Sequence, residues 1–156
     1  MGVLSEKTVK KIVEVQKKYP TKRSAVLPSL YLAQEEEGYV TKEAMAEIAK
    51  ILSVPPVQVY ESATFYTMYN KKPVGRNHIQ VCTNLSCSLL GAEHIVEYIS
   101  KKIGVKAGGT TNDKRFTLKT VECLGSCGTA PMMQINDDYY ENLTEEKIDK
   151  ILDSLD

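Results

Sequence analysis

The chain has 156 residues, and its 20 Lys and Arg balance 20 Asp and Glu, for a formal net charge of zero. That length holds one or two small domains, and the balance excludes a general nucleic-acid binder, which needs a basic excess to displace phosphate counterions. With 42% hydrophobic and 26% charged residues, there is enough apolar material for a core that needs no disulfide staples.

The first seventy positions read as helical. Leu4-Ser5 ahead of Val9 has the form of a hydrophobic staple around a Ser cap, and Val9, Ile12 and Val13 supply one apolar face. Tyr19-Pro20 ends that helix. A second starts near Thr21 to Ser24 and runs to Glu37, with Gly38 just past its end and Pro28 either kinking it or marking its true first turn. Thr41 caps a third helix, in which Ala44, Met45, Ile48, Ala49 and Leu52 repeat at helical spacing. Pro55-Pro56 opens a fourth, carrying Val59, Ala63 and Tyr66.

The pattern changes after Pro73-Val74-Gly75. His78 to Val81 alternates like a half-buried strand, Leu89 to Lys102 is helical, and Gly104 to Asp113 is a Gly- and Thr-rich loop. Phe116 to Val121 alternates again, Met132 to Ile135 forms a short strand, and Asn136-Asp137-Asp138 turns into Tyr139-Tyr140. Thr144 caps a last helix through Ile148, Ile151 and Leu152. The order β-α-β-β-β-α after four helices predicts an α+β chain, with a helical module over 1–72 and a smaller α/β domain over 73–156.

Nothing in MGVLSEKTVKK has the apolar segment or cleavage pattern of a targeting peptide. Glu6 and the lysines after Met1-Gly2 do not suit myristoylation. The longest uncharged stretch, 77–92, is too polar to span a bilayer. The expected compartment is the cytoplasm or an equivalent reducing space, where cysteines serve as metal or redox ligands rather than disulfides.

There are four cysteines. Four residues separate Cys82 from Cys87, three separate Cys123 from Cys127, and 35 lie between the pairs. Each pair follows a predicted strand and is expected on a loop, so two loops at one sheet end would gather four sulfurs. Three chemistries compete. A structural zinc site tolerates these gaps. A thioredoxin-type dithiol does not, because it needs C-x-x-C. A [2Fe–2S] cluster accepts the wider loops, and the spacing ranks it ahead of zinc. Thr83, Ser86, Ser126 and Thr129 add hydroxyls nearby, and Gly125 and Gly128 let backbone N–H groups approach sulfur. Neither uncharged stretch, 77–92 nor 123–136, holds a Lys or Arg, and Glu122 is an anion beside Cys123. This predicts a low reduction potential for a bound cluster.

Several long runs carry a resemblance. They are Ala63-Thr64-Phe65-Tyr66-Thr67-Met68-Tyr69-Asn70, Lys72-Pro73-Val74-Gly75, His78-Ile79-Gln80-Val81-Cys82, Glu122-Cys123-Leu124-Gly125-Ser126-Cys127 and the stretch from Ala130-Pro131 to Tyr139-Tyr140. Through them the chain resembles the small thioredoxin-like [2Fe–2S] subunits of respiratory NADH:quinone oxidoreductase (complex I). The resemblance implies an N-terminal helical bundle followed by a thioredoxin-like [2Fe–2S] ferredoxin domain. It implies one [2Fe–2S] cluster on Cys82, Cys87, Cys123 and Cys127, and docking to a larger flavoprotein subunit that holds FMN and NADH. The wider assembly would be a multi-subunit oxidoreductase, keeping this chain cytoplasmic and peripheral to the inner membrane through its partners, without inserting itself. Equivalent subunits of NAD-linked hydrogenases and formate dehydrogenases share the cluster motif. A zinc-stabilised interaction module without redox role is the alternative from a different class. Pro131 stands where thioredoxin-like folds often place a cis proline.

The residues agree on one negative point. No G-x-G-x-x-G joins a strand to a helix and no Walker A sequence occurs, so dinucleotide and flavin chemistry are expected on a partner and no catalytic residue is assigned here. With four cysteines available, His78 and His94 are not expected as ligands. Phe65, Tyr66 and Tyr69 read as core and inter-domain packing. Residues 1–23 carry seven Lys or Arg against two Glu, and residues 137–156 eight Asp or Glu against two Lys. Both read as solvated helical faces.

Overall fold

Apolar residues at helical spacing fold the N-terminal part as α1 (Glu6–Gln16), α2 (Val26–Glu37), α3 (Lys42–Leu52) and α4 (Pro56–Phe65). The computed structural model describes residues 2–155. The chain divides into two compact units, 1–73 and 74–156.

In the first unit the caps are local side-chain chemistry. Thr8 N–H donates to Ser5 Oγ at 3.2 Å, and Ala44 N–H donates to Thr41 Oγ1 at 3.0 Å. Pro28 is the third residue of α2, within the first turn, where its missing N–H costs no helical bond. A 3₁₀ turn over Arg23–Ala25 leads into it. The core gathers Ile12, Leu30, Ile48, Leu52 and Val59 from the four helices. Two expectations fail. Val13 is exposed, so α1 buries a narrower stripe centred on Ile12. The aromatic trio also divides: Tyr69 is buried and donates its hydroxyl to Leu27 O at 2.8 Å, while Phe65 is 77% exposed. Tyr66 lies past the last residue of α4, in extended conformation, and is exposed too.

The second unit contains β1 (Asn77–Cys82), α5 (Leu85–Leu89), α6 (Ala92–Ile103), β2 (Phe116–Val121), β3 (Met133–Ile135), β4 (Asp138–Tyr140) and α7 (Glu145–Ser154). The sheet order is β2-β1-β3-β4, with β1 and β2 parallel and the other neighbours antiparallel. The Ala130–Pro131 peptide bond, shortly before β3, is cis. With a strand on each side, β1 is not the half-buried strand expected from its alternation. All of it except Gln80 is buried, including His78 and Asn77. Its apolar face, Ile79 and Val81, packs with Ile95 and Ile99 of α6 and with Ile148 of α7. The helix expected over Leu89 to Lys102 is α6, starting three residues later, and the short α5 before it is unexpected. Gly91, at φ 92°, breaks the chain between α5 and α6 in a conformation that a side chain would strain. Among the described residues no helix is long and apolar enough to cross a membrane.

Gly75 leads into β1 against the backbone of β2. A Cβ there would stand 2.7 Å from Phe116 C and 2.9 Å from Phe116 N, atoms that the β1–β2 pairing holds in place. Gly75→Ala is expected to destabilise the protein by about 1–3 kcal/mol, measured by urea unfolding; parental stability would refute the close approach.

Candidate metal centre

The parallel pairing of β1 and β2 runs in register from Asn77↔Phe116 to Cys82↔Val121, so both strands end together. Thr83 N–H extends the ladder by donating to Val121 O at 2.9 Å. Cys82 is the last residue of β1, and Cys123 comes two residues after β2. Cys87 and Cys127 are not on open loop as expected. Cys87 lies inside α5, and Cys127 opens a 3₁₀ turn over Cys127–Thr129. Asn84 caps α5 and so sets where Cys87 falls.

The two pairs differ in anchorage. Cys82 and Cys87 are buried with Ala92 and Met132, while Cys123 and Cys127 are exposed. Cys82 Sγ lies 3.7 Å from Glu122 O, to which its thiol donates. Burial pushes the Cys87 thiol up, its hydrogen bond with Cys82 adds to this, and the Met132 N–H opposes it. Cys82 and Cys127 also sit close enough to act on it electrostatically. Cys123 accepts a hydrogen bond from Gly125 N–H at 3.3 Å. All four thiols are free. Among the described residues no three His, Cys, Asp or Glu side chains converge as a closed ligand set. Four free thiols on segments leaving one end of a sheet are nonetheless a donor set that fits an all-sulfur metal group.

Of the hydroxyls near the cysteines, those of Thr83, Ser126 and Thr129 are directed at oxygen rather than sulfur. Thr83 donates to Val121 O, and Ser126 and Thr129 both donate to the Glu141 carboxylate. Backbone does approach sulfur at Gly125, in keeping with its place in the sequence. Glu141 has no local signal, since it lies beyond β3 and β4. Tyr139, another distant residue, donates its hydroxyl to Leu124 O at 2.8 Å and pins the same loop. His94 Nε2 pairs with Glu145 Oε1 at 2.7 Å on an exposed face. A cavity of about 610 Å³ lined by Lys102, Thr110, Asp113, Arg115 and Asp153 has none of the cysteines in its wall.

Residues 12–156 match the thioredoxin-like [2Fe-2S] ferredoxin family. The chain belongs to that family. This thioredoxin-like ferredoxin is 52% identical over 145 residues to the E subunit of the NADH-quinone oxidoreductase of Rickettsia conorii, covering 91% of this chain and 87% of the relative. It is 47% identical over 137 residues to the E 2 subunit of the same oxidoreductase in Rhizobium meliloti, covering 88% and 82%. Its fold is similar to part of a chain of an NAD+-reducing [NiFe]-hydrogenase in the air-oxidized state. The TM-score is 0.71 at 23% identity over 82% of this chain, which spans 22% of the hydrogenase chain.

His78 lies on β1 four residues before Cys82 and is buried. Burial, with the Lys119 charge adding, lowers its pKa from 6.5 to about 4. Between those values the unfolded chain binds a proton that the folded chain refuses, so stability is full above about pH 6.5 and falls as the pH drops towards 4. The loss amounts to at most about 3.5 kcal/mol, since each pH unit of that interval costs about 1.4 kcal/mol. Urea unfolding at pH 7 and pH 4.5 should show His78→Gln losing less stability than the parent over that interval. An equal loss in both would refute the buried neutral imidazole.

Proposed function

We propose that this chain is the electron-transfer subunit of an NADH:quinone oxidoreductase, holding one [2Fe–2S] cluster on Cys82, Cys87, Cys123 and Cys127. It exchanges electrons with FMN on a larger NADH-binding partner subunit. The observation that carries this is the parallel β1–β2 pair, which delivers both cysteine segments to one end of the sheet in a chain about half identical to known E subunits.

A bound [2Fe–2S] cluster supplies a one-electron redox couple. The chain's own residues do the rest. Cys82 and Cys87 provide the buried half of the donor set against Ala92 and Met132. Cys123 and Cys127 provide the exposed half, with Gly125 N–H directed at the Cys123 sulfur. The absence of Lys and Arg from 77–92 and 123–136, with Glu122 alongside, favours the oxidised state and a low potential. No catalytic residue is assigned; NADH and FMN belong to the partner. Residues 73–156 form the cluster domain and 1–72 the helical module, in a cytoplasmic assembly held at the inner membrane by other subunits.

Anaerobically purified protein should contain iron and acid-labile sulfide matching one cluster per chain and give the EPR signal of a one-electron-reduced cluster after dithionite. Each Cys→Ser variant should weaken or lose that signal, and a variant with an unchanged cluster removes its residue from the ligand set. Zinc in place of iron, in protein shown not to have lost a cluster, would overturn the redox assignment. The large subunit that co-purifies distinguishes a respiratory assembly from a hydrogenase or formate dehydrogenase.

A further inference from the structure

The segment carrying Cys123 and Cys127 is exposed, yet one side chain from another part of the unit grips it. Glu141 follows β4 directly and turns Oε1 towards the loop. Thr129 Oγ1–H donates to that oxygen at 2.7 Å, and the Ser126 hydroxyl donates to the same oxygen. The two hydroxyl oxygens are themselves 2.7 Å apart, so three oxygens form one closed triangle across the turn that contains Cys127. Thr129 N–H donates to Ser126 O at 3.2 Å and tightens that turn. An ionised carboxylate accepts only, which draws both hydroxyl protons away from the sulfurs. The Ser126 and Thr129 hydrogen bonds hold the Glu141 carboxyl below its usual range, and the Lys147 charge acts in the same direction.

We propose that Glu141 is a positioning residue for the cysteine loop, acting on the sulfur site only through Ser126 and Thr129. This rests on Cys123 and Cys127 being cluster ligands. Cys82 and Cys87 are held by the sheet end and the buried Met132 contact. Cys127 has no comparable burial, and the turn that contains it is gripped by a carboxylate outside the loop. The effect of Glu141 passes through the two hydroxyls, which take up its Oε1.

Both hydroxyls use the same oxygen, so the variants separate geometry from charge. Glu141→Gln keeps Oε1 as acceptor and removes the charge; Glu141→Ala removes both. In full-length cluster-loaded protein, Glu141→Ala should give up iron to a chelator roughly 10- to 100-fold more readily, the usual scale for a residue that supports metal ligands. Its reduced EPR spectrum should be broadened or shifted, and the thermal unfolding midpoint of the apo chain should stay near the parental value. Glu141→Gln should keep the parental iron retention and line shape. Should Glu141→Ala fail to fold, the Ser126→Ala, Thr129→Val double variant removes the donors instead and should show the same loss. Parental retention and spectrum in Glu141→Ala, or in the double variant, overturn the proposal. Loss as great in Glu141→Gln as in Glu141→Ala also overturns it, because charge would then be acting. A parent that loads no iron refutes the function above and this proposal together, whereas a loaded parent indistinguishable from Glu141→Ala refutes this one alone.

Discussion

Parallel pairing of β1 with β2 is the constraint from which the second unit follows. Two strands running the same way cannot be joined by a tight turn, and here the crossover is α5, α6 and the loop before Phe116. Its effect is that two chain segments remote in sequence leave the sheet at one end, beginning at Cys82 and at Glu122. The remaining elements keep that pair in place. β3 covers the open edge of β1 in antiparallel register, and α6 and α7 contribute Ile95, Ile99, Ile148 and Leu152 to the core beneath it. Gly75 serves the same pairing from the other end, since only a residue without Cβ lets the chain enter β1 so close to Phe116.

The sulfur set is asymmetric. Strand and helix fix Cys82 and Cys87, and the buried side chain of Met132 closes over them. The second pair has little of its own secondary structure and is held by hydrogen bonds from the far side of the sheet, through Tyr139 to Leu124 and through Glu141 to Ser126 and Thr129. Backbone bonds from Asn142 to Thr129 and from Leu143 to Pro131 tie the same stretch to the segment after β4. A rigid half and a supported half divide the task of presenting four thiols. The supported half depends on a hairpin that carries no cysteine.

Much of the fold is legible in the sequence because its signals are local. Ser5, Thr41 and Thr144 cap helices within three residues of themselves, Gly38 ends α2, and the alternation of Phe116 to Val121 marks β2. What is not legible depends on distant parts of the chain. His78 looks like the solvent side of a strand, yet the folded unit buries it. Apolar Leu89 and Leu90 hide the break that Gly91 makes, and both leucines are exposed. Phe65 misleads for the converse reason: an aromatic residue at the end of an apolar helix faces outward. At the site, spacing marks the cysteines and the long runs mark the family. The destination of the Ser126 and Thr129 hydroxyls cannot be read, because their acceptor lies on the other side of a hairpin.

The crossover also sets an order in time. A chain emerging N-terminus first at about 5–20 residues per second presents Cys82 and Cys87 several seconds, by that rate, before Cys123 and Cys127. Through most of this interval β1 has neither of its strand neighbours, and half of the thiols stand without the other half. A group that needs sulfur from both segments is therefore completed only after synthesis has passed Cys127. Its insertion is a late event in the making of the protein, coupled to the slow, non-local step of strand pairing.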